Sequence, residues 1–332
     1  MKKSRIVGVG HYVPDQVITN EYLSGMMNTN NEWIVERTGI EERRWFTPGK
    51  DTVTSMSLAA SKMALDRAGV LAKDIDFIVF ATITPDYFVP GNGVLLQREL
   101  GIQGVPALDV RNACSGFIYA LSVADQFIKT GMYKTVLVVG AEIQSSALDK
   151  SDEGRSSAVI FADGAGAAIL KAVDIDQHGI LSTHLHADGD YAEELYLKDP
   201  GSSREVRLSP EIVNQQSFKM YMNGNTVFKH AVVRFHEVIL EALDANKLNK
   251  SAIDLLVPHQ ANLRISNYIQ QKMGLSDEKV FNNIMKLGNT TAATIPIALS
   301  QAWEQNKLKD GDLVCLAAFG SGFTWASALL NW

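Results

Sequence analysis

One helix–strand unit occurs twice in this chain, in the same register. Ala64-Leu65-Asp66, followed by Ile75-Asp76 and Val79, recurs as Ala242-Leu243-Asp244, followed by Ile253-Asp254 and Val257. Positions 64, 75 and 79 thus return at 242, 253 and 257, a constant separation of 178. In both copies a helical pattern ends, a polar loop follows and a strand begins at Ile-Asp. Thr135 to Gly140 and Leu313 to Ala317 form a second pair of buried strands at nearly the same separation. Helical patterns alternate with short β-branched runs throughout, which predicts an α/β architecture. Two such copies predict two pseudo-symmetric halves facing each other across a centre.

That centre has a candidate occupant. Cys114 stands in Asn112-Ala113-Cys114-Ser115-Gly116-Phe117, between the strand-like run Val105–Val110 and the helical run Ile118–Ala124. A thiol on such a turn lies over the free N–H groups of a helix start, which lowers its pKa and favours the thiolate. Two readings stay open on position alone: a small buried hydrophobe, or a nucleophile. In the duplicated frame, Asn112-Ala113-Cys114 maps near Gly288-Asn289-Thr290. This brings Asn289 into the same site as Cys114, although they are far apart in the chain.

Composition narrows the function. The 332 residues carry a net charge of −6 and show no basic run, which argues against a nucleic-acid binder. With only two cysteines, Cys114 and Cys315, a disulfide scaffold is excluded and a reducing compartment is expected. The apolar stretch after Lys2 and Lys3 is broken by Gly8, Gly10 and His11, too early for a signal sequence. Apolar runs such as Val136–Val139 are strand-sized, so no membrane span is expected, and the protein is read as cytoplasmic.

A cysteine nucleophile needs partners for protons and developing charge. Of the seven histidines, His259 follows the apolar run Ile253–Val257 and Pro258, at a strand's carboxyl end, where open α/β sheets place ligands. His184 and His186 lack the further ligands a metal needs. Lys286–Pro296 is a run of small residues opening a helix, and its Asn289 amide can donate to an oxyanion. Phe319-Gly320-Ser321-Gly322-Phe323 reads either as an ordinary tight turn or as a set of N–H donors for an oxyanion, together with Cys114. Gly164-Ala165-Gly166 and Gly91-Asn92-Gly93 lack the third glycine and acidic residue of dinucleotide loops.

The segments Asn112–Phe117, Val257–Ile265, Gly288–Ala293 and Gly322–Trp325 together resemble the β-ketoacyl-acyl carrier protein synthase III family. Asn31–Ile40 and Phe161–Ala168 extend the similarity in the family's order from near the first strand to the last residues. The resemblance implies a thiolase-like fold: two pseudo-symmetric halves in a five-layer αβαβα sandwich, normally a homodimer. The halves would be 1–172, carrying Cys114, and 173–332, carrying His259 and Asn289.

Carried over residue by residue, the resemblance makes Cys114 the acylated nucleophile and His259 with Asn289 the decarboxylation pair. The oxyanion hole would be the backbone N–H groups of Cys114 and Ser321. Thr29, Trp33, Arg37 and Arg155 would bind coenzyme A, with the adenine held between the Trp33 indole and the Arg155 guanidinium. On the residues alone, Trp33 reads first as a partly exposed packing residue. Lys229 and Arg264 match carrier-docking positions, while Lys272 reads as a solvated cation. Two departures stand out. Ser321 replaces the middle glycine of the usual three, and its side chain is expected to restrict φ and alter the hole. Val89 stands where many relatives carry phenylalanine at the end of the acyl pocket, contributed across the dimer, and so leaves room for a longer or branched chain.

The activity so implied is a decarboxylative Claisen condensation of an acyl-CoA with malonyl-acyl carrier protein, initiating fatty acid biosynthesis. It needs no metal or redox cofactor, since acyl-CoA is a substrate. Neutral His259, donating through Nε2, and the Asn289 amide would stabilise the enolate. The alternatives are a related condensing enzyme of secondary metabolism or of head-to-head acyl condensation and, more remotely, a cysteine hydrolase. The hydrolase is disfavoured by the residues flanking Cys114, by its distance from the N-terminus, and because no upstream glutamine stands out as an oxyanion donor. A thiolase proper would need a second cysteine where Ala318 stands, and a non-catalytic subunit would be expected to lose Cys114.

Overall fold

The computed structural model describes residues 2–213 and 218–332. Its first sheet runs in the order Lys2–Tyr12, Asp163–Asp174, Thr135–Ile143, Phe77–Ala81, Ala107–Val110. The first two pairings are antiparallel and the last two parallel. The second sheet repeats the pattern with Ile180–Ala187, Thr324–Asn331, Leu313–Gly320 and Leu255–Pro258, again antiparallel, antiparallel, parallel. A parallel bridge from Leu256 to Val280 takes the place of its fifth strand.

The duplication extends to single hydrogen bonds. Asp76 donates its backbone N–H to the Thr135 carbonyl at 2.8 Å and accepts the Thr135 N–H on its carboxylate at 3.0 Å. Asp254 does the same with Leu313 at 2.9 Å. Each aspartate therefore pins the start of one parallel strand to its neighbour, which explains why Ile-Asp recurs.

Side-chain alternation along the strands sorts the core into layers. Val136 and Val138 point to a central layer with Phe117, Leu121, Ile295 and Leu299, helical residues that also meet Val314 and Leu316 of the second sheet. Leu137 and Val139 point outward to Met56, Ala60 and Ala64 of the helix Val53–Ala68. On the far side, Phe235, Val238 and Ile239 of Gly224–Ala245 cover Leu256, Cys315 and Ala317. Helix, sheet, helix pair, sheet, helix: the expected five-layer αβαβα sandwich is observed.

The two central helices, Gly116–Lys129 and Thr294–Glu304, each follow a short 3₁₀ turn, Ala113–Ser115 and Thr291–Ala293. Ala113 and Thr291 both adopt left-handed backbone, at φ 45° and 54°. The equivalence expected between Cys114 and the Gly288–Thr290 segment is thus displaced. The 178-residue step continues without a gap, so Cys114 matches Ala292 and Asn289 lies just before the repeated turn. Gly140 seats the second turn, since a Cβ there would meet the Ala292 carbonyl at 2.3 Å.

Among the described residues no helix is long and apolar enough to cross a membrane.

Candidate active site

Both central turns point their residues into one site. Cys114, His259 and Asn289 line a cavity of about 110 Å³ with Phe161, Phe228 and Gly320. Cys114 also lines a second, larger cavity of about 710 Å³ with Thr84, Gln144, Phe161, Leu195 and Ser321. The thiol therefore stands between two chambers, one holding the histidine and asparagine, the other free of them.

The sharp turn at Cys114 depends on its neighbours across the sandwich. A Cβ on Gly320 would fall 2.5 Å from the Cys114 Cβ and 3.0 Å from its sulfur, so only glycine fits there. The backbone N–H groups of Cys114 and Ser321 both face the Cys114 sulfur and pull its pKa down, as expected of a helix start. They are outweighed. Burial, reinforced by the buried Glu142, pushes the Cys114 thiol up to about 12. The expectation of a depressed pKa fails because complete desolvation of a thiolate exceeds what two N–H dipoles return. The Cys114 thiol is therefore neutral at physiological pH.

Sequence reasoning missed Glu142. Its carboxyl is buried among Thr84 Oγ1 at 2.6 Å, Thr82 Oγ1 at 3.3 Å and the Ile83 N–H at 3.2 Å, and burial raises it to about 8. The signal was available: an acidic residue inside the fully buried run Thr135–Ile143.

His259 ends the strand Leu255–Pro258, and its N–H donates to the Ala317 carbonyl at 2.8 Å. Nδ1 lies 2.6 Å from the Thr294 hydroxyl, which also reaches the Thr291 carbonyl at 3.0 Å. Nε2 is buried without a hydrogen-bond partner. Burial lowers the imidazole to about 3, so the ring is neutral across physiological pH. Asn289 accepts the Thr291 N–H on Oδ1 at 2.8 Å. That bond orients the amide and leaves Nδ2 as its donor end.

Ser321 is not in the left-handed region; the residue of its turn with positive φ is Gly322, at 134°. The Ser321 hydroxyl instead donates to the Leu195 carbonyl, and Thr324 Oγ1 donates to the Ser321 carbonyl at 3.0 Å, tying the turn at two points.

The remaining predicted residues fall into three groups. Trp33 is flanked by two guanidiniums, with Arg37 4.8 Å and Arg155 4.7 Å from the ring centre. Arg155 also donates to the Asn28 carbonyl at 2.5 Å, beside Thr29, whose Oγ1 is buried without a partner. Lys229 and Arg264 are exposed, and the Arg264 guanidinium sits 5.4 Å over the ring of Phe228, which lines the smaller cavity. Lys272 is also exposed, near Tyr268. Val89 is 79% exposed on an apolar arm with Tyr87 and Phe88, and it does not line the larger cavity of its own chain, whereas Phe88 does.

The glycine pairs set aside as dinucleotide loops have other roles. The N–H groups of Asn92 and Gly93 are occupied by Asp109, at 2.5 and 2.9 Å, while Gly164 to Gly166 lie within a strand.

Comparisons with known proteins agree with this fold. Residues 108–189 match the family profile of 3-oxoacyl-[acyl-carrier-protein] synthase III, and residues 243–332 match its C-terminal profile. The chain is 45% identical to the beta-ketoacyl-[acyl-carrier-protein] synthase III of Escherichia coli K12 over 328 residues, 99% of each chain. The crystal structure of 3-oxoacyl-[acyl-carrier-protein] synthase III from Aquifex aeolicus is 41% identical. It superposes with a TM-score of 0.91 over 99% of this chain and 100% of that one. The priming β-ketosynthase of the R1128 polyketide pathway is similar at 32% identity and a TM-score of 0.89, over 99% and 96%.

Proposed function

This chain belongs to the 3-oxoacyl-[acyl-carrier-protein] synthase III family of thiolase-fold acyltransferases, and from that premise we propose how its own residues carry the reaction. The enzyme condenses an acyl-CoA with malonyl-acyl carrier protein, with loss of carbon dioxide, and so initiates fatty acid biosynthesis. The observation that carries the assignment of roles is the position of Cys114 between two cavities, only one of which holds His259 and Asn289.

In the first half-reaction the Cys114 S–H bond breaks and its sulfur bonds the acyl carbon. The bond from that carbon to coenzyme A breaks, and the proton leaves on the coenzyme A thiol. The oxyanion formed in between is met by the N–H groups of Cys114 and Ser321. The acyl chain then occupies the larger cavity. In the second half-reaction malonyl thioester enters the smaller cavity, the bond to its carboxylate breaks, and the electron pair becomes an enolate. Its oxygen is held by Asn289 Nδ2 and His259 Nε2; for Nε2 to carry hydrogen, the Thr294 hydroxyl proton turns from the Thr291 carbonyl to Nδ1. The enolate carbon attacks the Cys114 thioester, the new carbon–carbon bond forms as the carbon–sulfur bond breaks, and the expelled thiolate takes a proton from solvent. No group in this scheme requires a metal or a redox cofactor.

Trp33, Arg37, Arg155 and Thr29 form the coenzyme A site in this reading. The adenine would insert between the indole and Arg155, exchanging one cation–π contact for two stacked ones. Arg155→Ala is expected to raise the Michaelis constant for acyl-CoA several-fold, from a loss of about 1–2 kcal/mol. Its use of malonyl-acyl carrier protein should stay unchanged, and equal constants for both proteins would remove Arg155 from the site. Val89 would reach the larger cavity of a second copy, which accounts for an apolar arm left exposed on a single chain.

Lys229 and Arg264 flank Phe228 at the smaller cavity, a suitable place to receive an acidic carrier protein. Because the chain itself is acidic, the attraction must be local. Lys229→Glu and Arg264→Glu should slow turnover of malonyl-acyl carrier protein, more at low salt than at high, and spare acylation of Cys114. Salt-independent, wild-type rates in both would place the carrier elsewhere.

A buried thiol at about 12 fixes a pH dependence. A raised pKa keeps the sulfur protonated below it, so the thiolate fraction grows about tenfold per pH unit throughout pH 7–10. Alkylation of Cys114 by iodoacetamide in the free enzyme should follow that slope without levelling. A plateau near neutral pH would show a preformed thiolate. The overall assignment is tested by steady-state formation of 3-oxoacyl-acyl carrier protein from acyl-CoA and malonyl-acyl carrier protein.

A further inference from the structure

The larger cavity contains a residue that an alkyl chain does not need. Gln144 follows the strand Thr135–Ile143, lines that cavity with Cys114 and is 1% exposed. Both ends of its amide, Oε1 and Nε2, are buried without a hydrogen-bond partner. Leaving such a group unpaired disfavours the folded state, and buried polar side chains in native proteins generally have partners.

The other polar side chains deep in that wall are already engaged. Thr84 Oγ1 donates to Glu142 at 2.6 Å and accepts the Ile143 N–H at 2.9 Å. Ser321 Oγ is spent on Leu195, and Thr324 Oγ1 bonds Ser115 Oγ at 2.7 Å. Among the described residues of the wall, Thr291 also has a buried, unpartnered Oγ1, on a backbone held at φ 54°. A left-handed conformation is unfavourable for a β-branched residue and recurs where function demands it. Two unpaired polar groups therefore face the space that the acyl chain of the proposed reaction would fill.

We infer that the acyl cavity selects an acyl chain bearing a neutral hydrogen-bonding oxygen, a hydroxyacyl thioester, and that Gln144 is the selecting residue. A hydroxyl both donates and accepts, and so can satisfy an amide's two ends where a methylene satisfies neither. A carboxylate is a poorer fit, because a buried neutral amide does not neutralise it. The cationic residues of the same cavity, Arg111, Lys198 and Arg207, are exposed and hydrated. This inference rests on the reading of Cys114 as the acylated nucleophile.

The test uses the full-length protein and matched coenzyme A thioesters: butanoyl, 3-hydroxybutanoyl, 4-hydroxybutanoyl and succinyl. Acylation of Cys114 is followed by intact mass. The wild-type protein should take one of the hydroxy isomers at least about tenfold faster, as kcat/KM, than butanoyl, since a site built for a hydroxyl rejects the analogue lacking it. Gln144→Leu should reverse that order, raising butanoyl and lowering the hydroxy isomer. Gln144→Met, close in shape to the glutamine, serves if the leucine variant does not fold. Equal rates for butanoyl and both hydroxy isomers in wild type, or a preference for succinyl, would overturn the inference. So would a hydroxy preference that survives in the Gln144 variants. No adduct from any thioester would instead sink the nucleophile reading on which the inference rests.

Discussion

Cys114→Ala leaves a folded protein that forms no acyl adduct and no condensation product. The expectation follows from where the two thiols are. Cys315, the other cysteine, lies with Phe235, Leu256 and Leu329 on the outer face of the second sheet, walled off from both cavities. No other side chain beside Gly320 and the paired N–H groups carries a nucleophilic sulfur. Removing one buried sulfur in favour of a methyl group is a small packing change, so the thermal midpoint should move by only a few degrees. Acylation should fall below detection in intact-mass spectra, and a stable adduct on the alanine variant would contradict the role.

The second large effect separates the half-reactions. His259→Ala and Asn289→Ala should each lower malonyl decarboxylation by ~10²–10³, the equivalent of about 3–4 kcal/mol for one preorganised donor to a developing oxyanion. Acylation should largely survive in both, because its oxyanion is met by the Cys114 and Ser321 N–H groups on the other side of the thiol. The imidazole lies near 3, so it stays neutral from pH 5 to 9 and no loss from its protonation is expected in that range. Stopped-flow acylation and carbon dioxide release, measured separately on each variant, check the division. An equal loss of both steps would mean that the histidine serves the thiol as well as the enolate.

What was legible in the sequence was local or periodic. The 178-residue repeat revealed the paired sheets because Asp76 and Asp254 perform the same bond at the same step. Cys114, His259 and Asn289 each sit at a strand end or a strand-to-helix turn, places that a short motif announces. Quantities set by packing from elsewhere were not legible. The thiol's pKa was misjudged because the helix start is visible at Asn112–Phe117, while the burial and Glu142 come from distant segments. Ser321 was expected to restrict φ at the oxyanion hole, and the structure puts the positive φ of that turn on its neighbour Gly322, a matter of backbone register that composition does not reveal. Gln144 drew no notice, since a glutamine after a strand is ordinary until both ends of its amide prove unpaired in a cavity.

In the proposed reaction one sulfur carries the acyl group from coenzyme A to the malonyl carbon. This transfer is tested most directly by a pulse and chase on a single sample. The protein is loaded with an isotope-labelled acyl-CoA, freed of excess, mapped by peptide mass spectrometry, and then given malonyl-acyl carrier protein. The labelled acyl group is expected on the peptide containing Cys114, followed by its stoichiometric transfer to 3-oxoacyl-acyl carrier protein as carbon dioxide is released and the free thiol returns. Label on any other residue, or a Cys114 adduct that the malonyl carrier does not discharge, would contradict it.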